Sequence, residues 1–152
     1  MNEKARKESI GAMFELYPRT RKLMYEAFDK LDDDLTRTQQ IILLALSVRD
    51  NLSMSQLASK ICTSNEQATR AVTQLVDKEL VNRSQNKTNR RVVNITLTPK
   101  AKEYIEAAKK AVLNDTQSSA KNLTDEDLNT INSSIRTVLD ILKKLDADDI
   151  IY

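Results

Sequence analysis

Residues 53–80 read SMSQLASKICTSNEQATRAVTQLVDKEL, and residues 81–99 continue as VNRSQNKTNRRVVNITLTP. In the first stretch, apolar residues recur every three or four positions in two short runs, which predicts two amphipathic helices separated by a tight turn. In the second stretch, apolar and polar residues alternate around a basic loop, which is typical of a two-stranded hairpin. A helix-turn-helix followed at once by a cationic hairpin is the layout of a winged helix, so DNA binding is the first hypothesis.

The second helix of the pair combines an apolar face with a polar face that suits DNA. Its inward residues are predicted to be Ala68, Ala71, Val72, Leu75 and Val76. Amide and guanidinium groups pair with base edges, whereas hydroxyl groups suit phosphate oxygens. The predicted base contacts are Asn65, Gln67 and Arg70, and the predicted phosphate contacts are Ser64, Thr69 and Thr73. The same polar face would also suit an ordinary solvated helix.

The short helix before it begins at Ser53 or Ser55, either of which can act as an N-cap. Both serines are also predicted to contact the DNA backbone. Cys62 opens the turn to the second helix.

The hairpin is predicted to be short and to carry its charge at the tip. Residues 80–83 form one strand and residues 92–97 the other, and the loop between them holds three cations: Lys87, Arg90 and Arg91. A basic tip can enter a minor groove, where the negative potential attracts arginine. Thr98 at the cap and Pro99 at the first helical position then predict the start of another helix.

Positive charge is concentrated in this central region. Residues 52–103 carry nine bases and four acids, a net charge of +5, in a chain whose total is +2. Residues 104–152 carry six bases and nine acids, and the first 51 residues carry nine of each. A basic centre between neutral and acidic ends fits a DNA-contacting core flanked by segments with another task.

The N-terminal segment predicts a long helix with an interruption. Its apolar stripe consists of Ile10, Met13, Phe14 and Tyr17. Pro18 is expected to kink or restart the helix, because proline lacks the N–H of the intrahelical hydrogen bond. The next helix, capped by Thr36 or Thr38, is apolar on most sides and should lie in the core.

The C-terminal segment carries an apolar seam that needs a partner. After a cap at Thr124, the seam repeats every three or four positions at Leu128, Ile131, Ile135, Val138, Leu142 and Leu145. The first helix of the same chain could cover it, but a dimer interface built from both ends fits better in a chain with this much core. The predicted organisation is an N-terminal dimerisation region (1–34), a winged helix-turn-helix (35–99) and C-terminal dimerisation helices (100–152).

The chain lacks the residues that several classes of protein need. The chain has no histidine, one cysteine and one glycine. Common zinc sites, Ser-His-Asp or Cys-His catalytic groups, an intrachain disulfide and a glycine-rich phosphate loop are therefore excluded. We expect a non-enzyme with no catalytic residues, no metal and no cofactor. The sequence has neither a signal-peptide pattern nor an apolar run of about 18 residues, which predicts a cytoplasmic protein with no membrane partner.

Four pieces of the sequence resemble the MarR family of bacterial winged-helix transcription regulators. They are LTRTQQIILLAL, LSMSQLASKI, SNEQATRAVTQLVDKELVNR and NRRVVNITLTPKAKEY, between residues 35 and 104. The resemblance implies a mainly α fold with a small β-hairpin wing, in an obligate dimer with interlocked N- and C-terminal helices. Arg91 carries over as the wing-tip arginine. Three positions differ from the usual pattern, because Asn89 replaces an aspartate and Cys62 and Glu79 replace glycines.

The resemblance also implies a function. The expected protein is a homodimeric, sequence-specific regulator of transcription, a repressor released by a small-molecule effector. Its double-stranded DNA partner would be a pseudo-palindromic operator with half-sites roughly 34–36 Å apart. In similar proteins the effector pocket lies between the dimer helices and the winged-helix lobe. Candidate contacts for a small aromatic effector are Phe14, Tyr17, Tyr25 and Phe28, although such residues are more often core residues than ligand contacts.

Two alternatives stay open. A winged helix can mediate protein interaction, or can package DNA without sequence preference, as nucleoid proteins do. Cys62 lies near the start of the second helix and could make the protein a redox-sensing regulator. The favoured alternative is a small, half-buried turn residue, since free cysteine often behaves as a small hydrophobic residue.

Overall fold

A computed structural model describes residues 2–31, 34–119 and 123–146 of the protein. The helices are α1 (Glu3–Asp29), α2 (Arg37–Val48), α3 (Met54–Lys60), α4 (Asn65–Asp77), α5 (Pro99–Ser119) and α6 (Asp125–Asp146). The strands are β1 (Leu52–Ser53), β2 (Val81–Gln85) and β3 (Val93–Leu97). The predicted mainly α fold with a small hairpin is therefore confirmed. We call residues 81–97, which comprise β2, β3 and their connecting loop, the wing.

The chain divides into two compact units, Met1–Asn114 and Asp115–Tyr152. The first unit contains α1 to α4, the sheet and most of α5, and the second contains α6. The division into dimerisation and DNA-binding regions at residues 34 and 99 stays a prediction. Residues 147–152 of the C-terminal region lie outside the described residues.

The core of the first unit forms where α2 packs against α3, α4 and the sheet. α2 is apolar on most sides, and its Ile42, Leu43 and Leu46 are fully buried. The facing elements contribute Leu52, Leu57, Val72, Leu75, Val81 and Ile95. Burying one such side chain stabilises a fold by about 1.5–3 kcal/mol, so this cluster holds α2 and α4 in fixed positions.

Polar caps determine where α2 and α3 begin, and they resolve two alternatives that the sequence left open. Thr36 rather than Thr38 caps α2, and Ser53 rather than Ser55 caps α3. In both, the cap hydroxyl accepts a backbone N–H three residues on, while the glutamine there accepts the N–H of the cap residue. The pairs are Thr36 with Gln39 (3.3 and 2.8 Å) and Ser53 with Gln56 (3.2 and 3.0 Å).

The strands form an antiparallel sheet in the order β1-β3-β2. β2 pairs with β3 over five residues, from Val81 opposite Leu97 to Gln85 opposite Val93, and β1 adds two residues on the other edge of β3. The sequence did not predict β1, because a two-residue strand has no periodicity to detect. The first hairpin strand also extends two residues beyond the predicted residues 80–83.

Thr98 ties the end of the sheet to two helices. Its hydroxyl donates to the backbone carbonyl of Glu79 at 2.8 Å and accepts the N–H of Ala101, in the first turn of α5, at 3.1 Å. Its own N–H donates to the carbonyl of Leu80 at 3.1 Å. The predicted helix start at Thr98 and Pro99 is confirmed, and the same residue holds the end of α4 beside β3.

The predicted restart of the helix at Pro18 is wrong, since α1 continues from Glu3 to Asp29 through the proline, whereas the predicted kink stays a prediction. Proline removes one hydrogen bond, to the carbonyl of Phe14, and the turns on both sides keep theirs. The Thr20 hydroxyl donates to the carbonyls of Leu16 and Tyr17 at 3.1 Å each, which adds bonds next to the missing one. One lost bond in a helix of 27 residues does not end it.

Left-handed residues end both helices of the helix-turn-helix. Cys62 (φ 52°) follows α3, and Glu79 (φ 59°) follows α4. In both places two successive N–H groups donate back to carbonyls of the final turn, which is the Schellman motif. The bonds join Thr63 to Ala58 and Cys62 to Ser59 after α3, and Leu80 to Leu75 and Glu79 to Val76 after α4. Glycine is favoured at the left-handed position because it has no Cβ, which explains why the MarR pattern has glycine at these two positions.

We expect Glu79→Gly and Cys62→Gly each to raise the free energy of unfolding by about 0.5–1 kcal/mol, because the Cβ cost of about 1–2 kcal/mol exceeds the extra chain entropy of glycine. Urea titration measures the change. Ser59→Gly, inside α3, is the matched control and should destabilise by up to about 1 kcal/mol. Destabilisation by the first two substitutions as well would contradict strain at these positions.

Candidate nucleic-acid interface

The structure gathers the predicted contacts of the second helix on one exposed face of α4. Ala68, Ala71, Val72 and Leu75 are buried, as predicted, and Val76 is partly buried. On the outer side, every predicted contact is exposed: Ser64, Asn65, Gln67, Thr69, Arg70 and Thr73. Ser64 is the N-cap, where its side chain accepts the N–H of Gln67 at 3.2 Å. α4 can therefore approach a ligand along its whole outer face.

Gln67 is held in place at the start of α4. The Thr63 hydroxyl donates to Gln67 Oε1 at 2.5 Å. The carboxamide NH2 group of Gln67 has no acceptor among the described residues, so it can still donate to an external group. Thr63 was not predicted as part of the site, because its role is visible only once the turn brings its hydroxyl beside the helix.

Arg83 is the main residue that the sequence interpretation missed. It lies on β2, and its Nη2 donates to the Thr69 carbonyl at 3.1 Å and to Thr73 Oγ1 at 2.8 Å. The Thr73 hydroxyl in turn donates to the Thr69 carbonyl at 2.8 Å. The proton of Thr73 is thus directed into the protein. In the sequence, Arg83 is simply one more polar position of a strand.

The loop of the wing is ordered by two asparagine side chains. Asn86 Oδ1 accepts the N–H of Thr88 at 2.9 Å and of Asn89 at 3.2 Å, and Asn89 Oδ1 accepts the N–H of Arg91 at 3.1 Å. A backbone bond of 2.9 Å from Asn86 N–H to the Val92 carbonyl closes the loop. Asn89 provides the acceptor that an aspartate would provide, without its charge.

The three predicted wing cations, Lys87, Arg90 and Arg91, are all exposed. None of them lies within ion-pair distance of a carboxylate in the described ranges.

The two serines at α3 that were predicted to contact the DNA backbone differ in exposure. Ser53 is half-buried because its hydroxyl caps the helix, whereas Ser55 is exposed and lies 3.2 Å from Ser53, oxygen to oxygen.

The four aromatic residues predicted as effector contacts all lie on α1 and differ in exposure. Phe28 is 2% exposed and stacks on Tyr104, with ring centroids 5.7 Å apart. Phe14 and Tyr17 are 76% and 63% exposed on α1. Tyr25 lines a cavity of about 230 Å³ between α1, α2 and the turn of the helix-turn-helix, together with Arg37, Thr38, Ile41, Ile61, Cys62 and Thr63.

Arg37 is fixed at the wall of this cavity. Its guanidinium bonds both carboxylate oxygens of Asp29 at 2.8 Å and lies 4.4 Å from the ring centroid of Tyr25. The hydrogen bond from Arg37 holds the pKa of Asp29 below its usual value. Arg21 also lies 5.3 Å from the same centroid. The cavity therefore offers a positioned cation beside an aromatic ring and apolar side chains.

A second ion pair, between Asp34 and Lys78, lies at the C-terminal end of α4. The Lys78 ammonium donates to Asp34, and this hydrogen bond lowers the pKa of the carboxyl group. The buried Gln39 donates to Gln74 Oε1 at 2.7 Å in the same region. Both links attach the C-terminal half of α4 to the start of α2.

Cys62 is exposed and lines the cavity described above. Its exposure disagrees with the half-buried turn residue that was one of the two interpretations. A redox role for the thiol stays a prediction.

Apolar side chains are exposed on α1 and, separately, on α6. On α6, four seam residues and the adjacent Leu139 are 42–49% exposed; the four are Leu128, Ile131, Ile135 and Val138. The side chain of Leu145 lies outside the described part of the structure. On α1, Ile10, Met13, Phe14, Leu16 and Tyr17 are 48–76% exposed. Such continuous apolar faces on both terminal helices are typical of surfaces that another chain covers.

No described helix has both the length and the apolar character needed to cross a membrane. Within the described ranges, no three cysteine or carboxylate side chains come together as metal ligands would.

Comparison with known proteins identifies the fold. The model of the MarR family matches residues 35–93. No curated protein matches the chain. Among solved structures, a MarR family protein from Bacillus stearothermophilus has a TM-score of 0.69 at 20% identity, covering 94% of this chain and 99% of that one.

A cysteine-to-serine mutant of MarR from E. coli has a TM-score of 0.66 at 24% identity, covering 85% of this chain and 95% of that one. The same mutant complexed with operator DNA has a TM-score of 0.57 at 23% identity, with coverages of 91% and 99%. These structures have the winged-helix fold described above. Residues 35–93 therefore match the MarR family model, and the fold of the chain is similar to that of these MarR structures.

Proposed function

We propose that the protein is a homodimeric transcriptional repressor that binds double-stranded DNA with sequence specificity and is released by a small aromatic effector. The observation that carries the proposal is the placement of an exposed polar face on α4 beside a basic wing, in one compact unit. The structure of E. coli MarR with operator DNA, which has the same fold, supports it.

The charge of the wing supports contact with phosphates. Residues 81–97 contain four basic residues and no acidic residue. A protein that neutralises phosphates releases condensed counterions, which gives sequence-independent affinity that falls with salt. In this proposal Arg90 and Arg91 enter a minor groove, and Lys87 contacts the phosphates beside it.

The outer face of α4 supplies the sequence specificity. Arg70 would bond guanine, and Asn65 and Gln67 would bond adenine, because their donor and acceptor groups match those base edges. The oxygens of the DNA backbone would be bound by Ser64, Thr69, Ser55 and Ser53. The Ser53 hydroxyl accepts a hydrogen bond as the cap of α3, so only its proton could be donated to the DNA. Thr73 is a weaker candidate for a phosphate, because its proton is directed to Thr69.

A dimer follows from the exposed faces of α1 and α6. Leaving so many large apolar side chains in water is costly, and pairing with a second copy would bury them. Two lobes related by a twofold axis would read a pseudo-palindrome with half-sites roughly 34–36 Å apart. A change in lobe spacing would then release the DNA.

The cavity beside Tyr25 and Arg37 supports the effector part of the proposal. The Tyr25 ring and two isoleucines suit the ring of a small aromatic effector. The guanidinium beside them is already paired with Asp29. The cavity borders both α1 and the turn before α4. A ligand bound there would favour one arrangement of these elements and shift the population of DNA-binding dimers.

The competing function is a winged helix that binds DNA without sequence preference or binds proteins. The ratio of operator to random-sequence affinity at fixed salt separates the two functions. A duplex selected by the protein from random sequence serves as the operator, and a scrambled duplex of equal length as the competitor. A ratio near one would favour the competing function.

We expect Arg70→Ala to weaken binding to the selected duplex by about 1–3 kcal/mol while binding to the scrambled duplex changes little. Lys87→Ala should weaken both duplexes equally and reduce the slope of log K against log salt by about one. Fluorescence anisotropy at several salt concentrations measures both effects. Lys110→Ala, on α5, is the matched control. Equal loss on both duplexes for Arg70→Ala would show that Arg70 does not read bases.

We expect Ile135→Glu to convert the dimer to a monomer, because a carboxylate in the seam of α6 would have to be buried without a partner. Sedimentation velocity measures the mass. Ser133→Glu introduces the same side chain on the opposite face of α6 and should leave the dimer intact. A wild-type protein that sediments as a monomer would contradict the dimer outright.

We expect benzoate to raise the thermal midpoint of the wild-type protein, with stabilisation reaching about 2.7 kcal/mol at 100 times its dissociation constant. Ile41→Trp should abolish the shift, because the larger side chain fills the cavity. Val48→Trp, at the exposed end of the same helix, should leave the shift unchanged. An equal shift in Ile41→Trp would place benzoate elsewhere.

A further inference from the structure

We propose that Arg83 is a positioning residue that fastens the wing to α4, so that the two elements meet DNA as one unit. The proposal rests on the function proposed above, since it concerns how the same interface attains specificity. It assigns a role to a side chain that belongs neither to the buried core nor to the predicted base contacts.

The geometry shows a bridge between two separate elements. Arg83 is the middle residue of β2, paired with Ile95 of β3. Its guanidinium reaches back to α4, where Nη2 bonds Thr69 and Thr73 at 3.1 and 2.8 Å. Both hydrogens of that nitrogen are used on the helix. Such a planar donor group fixes direction as well as distance.

The attachment point lies within the face of α4 that would read DNA. Thr69 is the residue before Arg70 and lies one turn after Asn65, and Thr73 lies one turn further. The opposite flank of the helix is held by the bond from Gln39 to Gln74 at 2.7 Å. Without the Arg83 bridge, the core would still hold α4, but its exposed face would be hydrogen-bonded on one flank only. Small rotations of the helix, and with them the direction of the Arg70 side chain, would be less restricted.

The wing side of the bridge is equally well connected. Arg83 lies two residues before the end of β2, and the loop beyond it is closed by the bond from Asn86 to Val92. The cations at the tip are thus joined to Arg83 by a paired strand. No carboxylate of the described residues is within ion-pair distance of Arg83. The guanidinium could instead contact a phosphate directly, and the test separates the two roles.

Thr73→Val provides the sharpest test, because it removes the side-chain acceptor of the bridge, leaves the Thr69 carbonyl and keeps the charge of Arg83. We expect the ratio of selected to scrambled affinity to fall about three- to tenfold, the usual size of coupling between contacting residues. The salt slope should stay unchanged. Thr73→Ser restores the hydroxyl and should restore the ratio.

Arg83→Lys tests the same contact from the other side. Lysine keeps the charge but lacks the planar donor group, so the ratio should fall by a similar factor with an unchanged salt slope. The double variant Arg83→Lys/Thr73→Val should be no worse than either single variant, because both remove one contact. The thermal midpoint of each variant shows whether it folds. If Thr73→Val does not fold, Arg83→Lys still tests the same contact.

Arg83→Gln distinguishes direct phosphate binding by Arg83 from the positioning role. If it lowers affinity for both duplexes equally and reduces the salt slope by about one, while Thr73→Val has no effect, Arg83 contacts phosphate and the positioning role is wrong. An unchanged ratio in Arg83→Lys would also overturn it. A ratio near one in the wild-type protein is a different result, because it overturns the proposed function itself.

Discussion

The structure depends on the burial of one face of α4. The buried residues of this face are Ala68, Ala71, Val72 and Leu75, and α4 packs against α2, α3 and β2. The small alanines let the helix approach closely. Because these side chains fix the rotation of the helix, they also determine which residues point outward. The polar face is therefore a consequence of core packing, and no residue on that face is needed to create it.

Hydrogen bonds further restrict the orientation of α4 that the core packing determines. The Thr98 hydroxyl ties the end of α4 to the start of α5, and Arg83 and Gln39 hold the two flanks of α4. These bonds are partly exposed and contribute only modestly to stability. Their effect is to restrict small rotations, which matter more for base contacts than for the existence of the fold.

The sequence predicted the parts of the molecule that local patterns control. The caps, the apolar face of α4 and the start at Thr98 and Pro99 each depend on residues within a turn or two of one another. β1 and the Arg83 bridge could not be predicted, because their partners are distant in sequence and come together only in the tertiary structure. The restart predicted at Pro18 was wrong, since a local rule was applied without the rest of a long helix. The four aromatic residues predicted as effector contacts also differ in exposure, because composition alone cannot say which rings face inward.

The asparagines of the wing have a consequence for how binding responds to its surroundings. Asn86 and Asn89 order the loop through amide groups, which neither gain nor lose a proton across the physiological range. The shape of the loop therefore does not depend on any ionisable group within it. A change in DNA affinity with pH near neutrality would therefore not arise from rearrangement of this loop, because the side-chain amides that order it do not titrate.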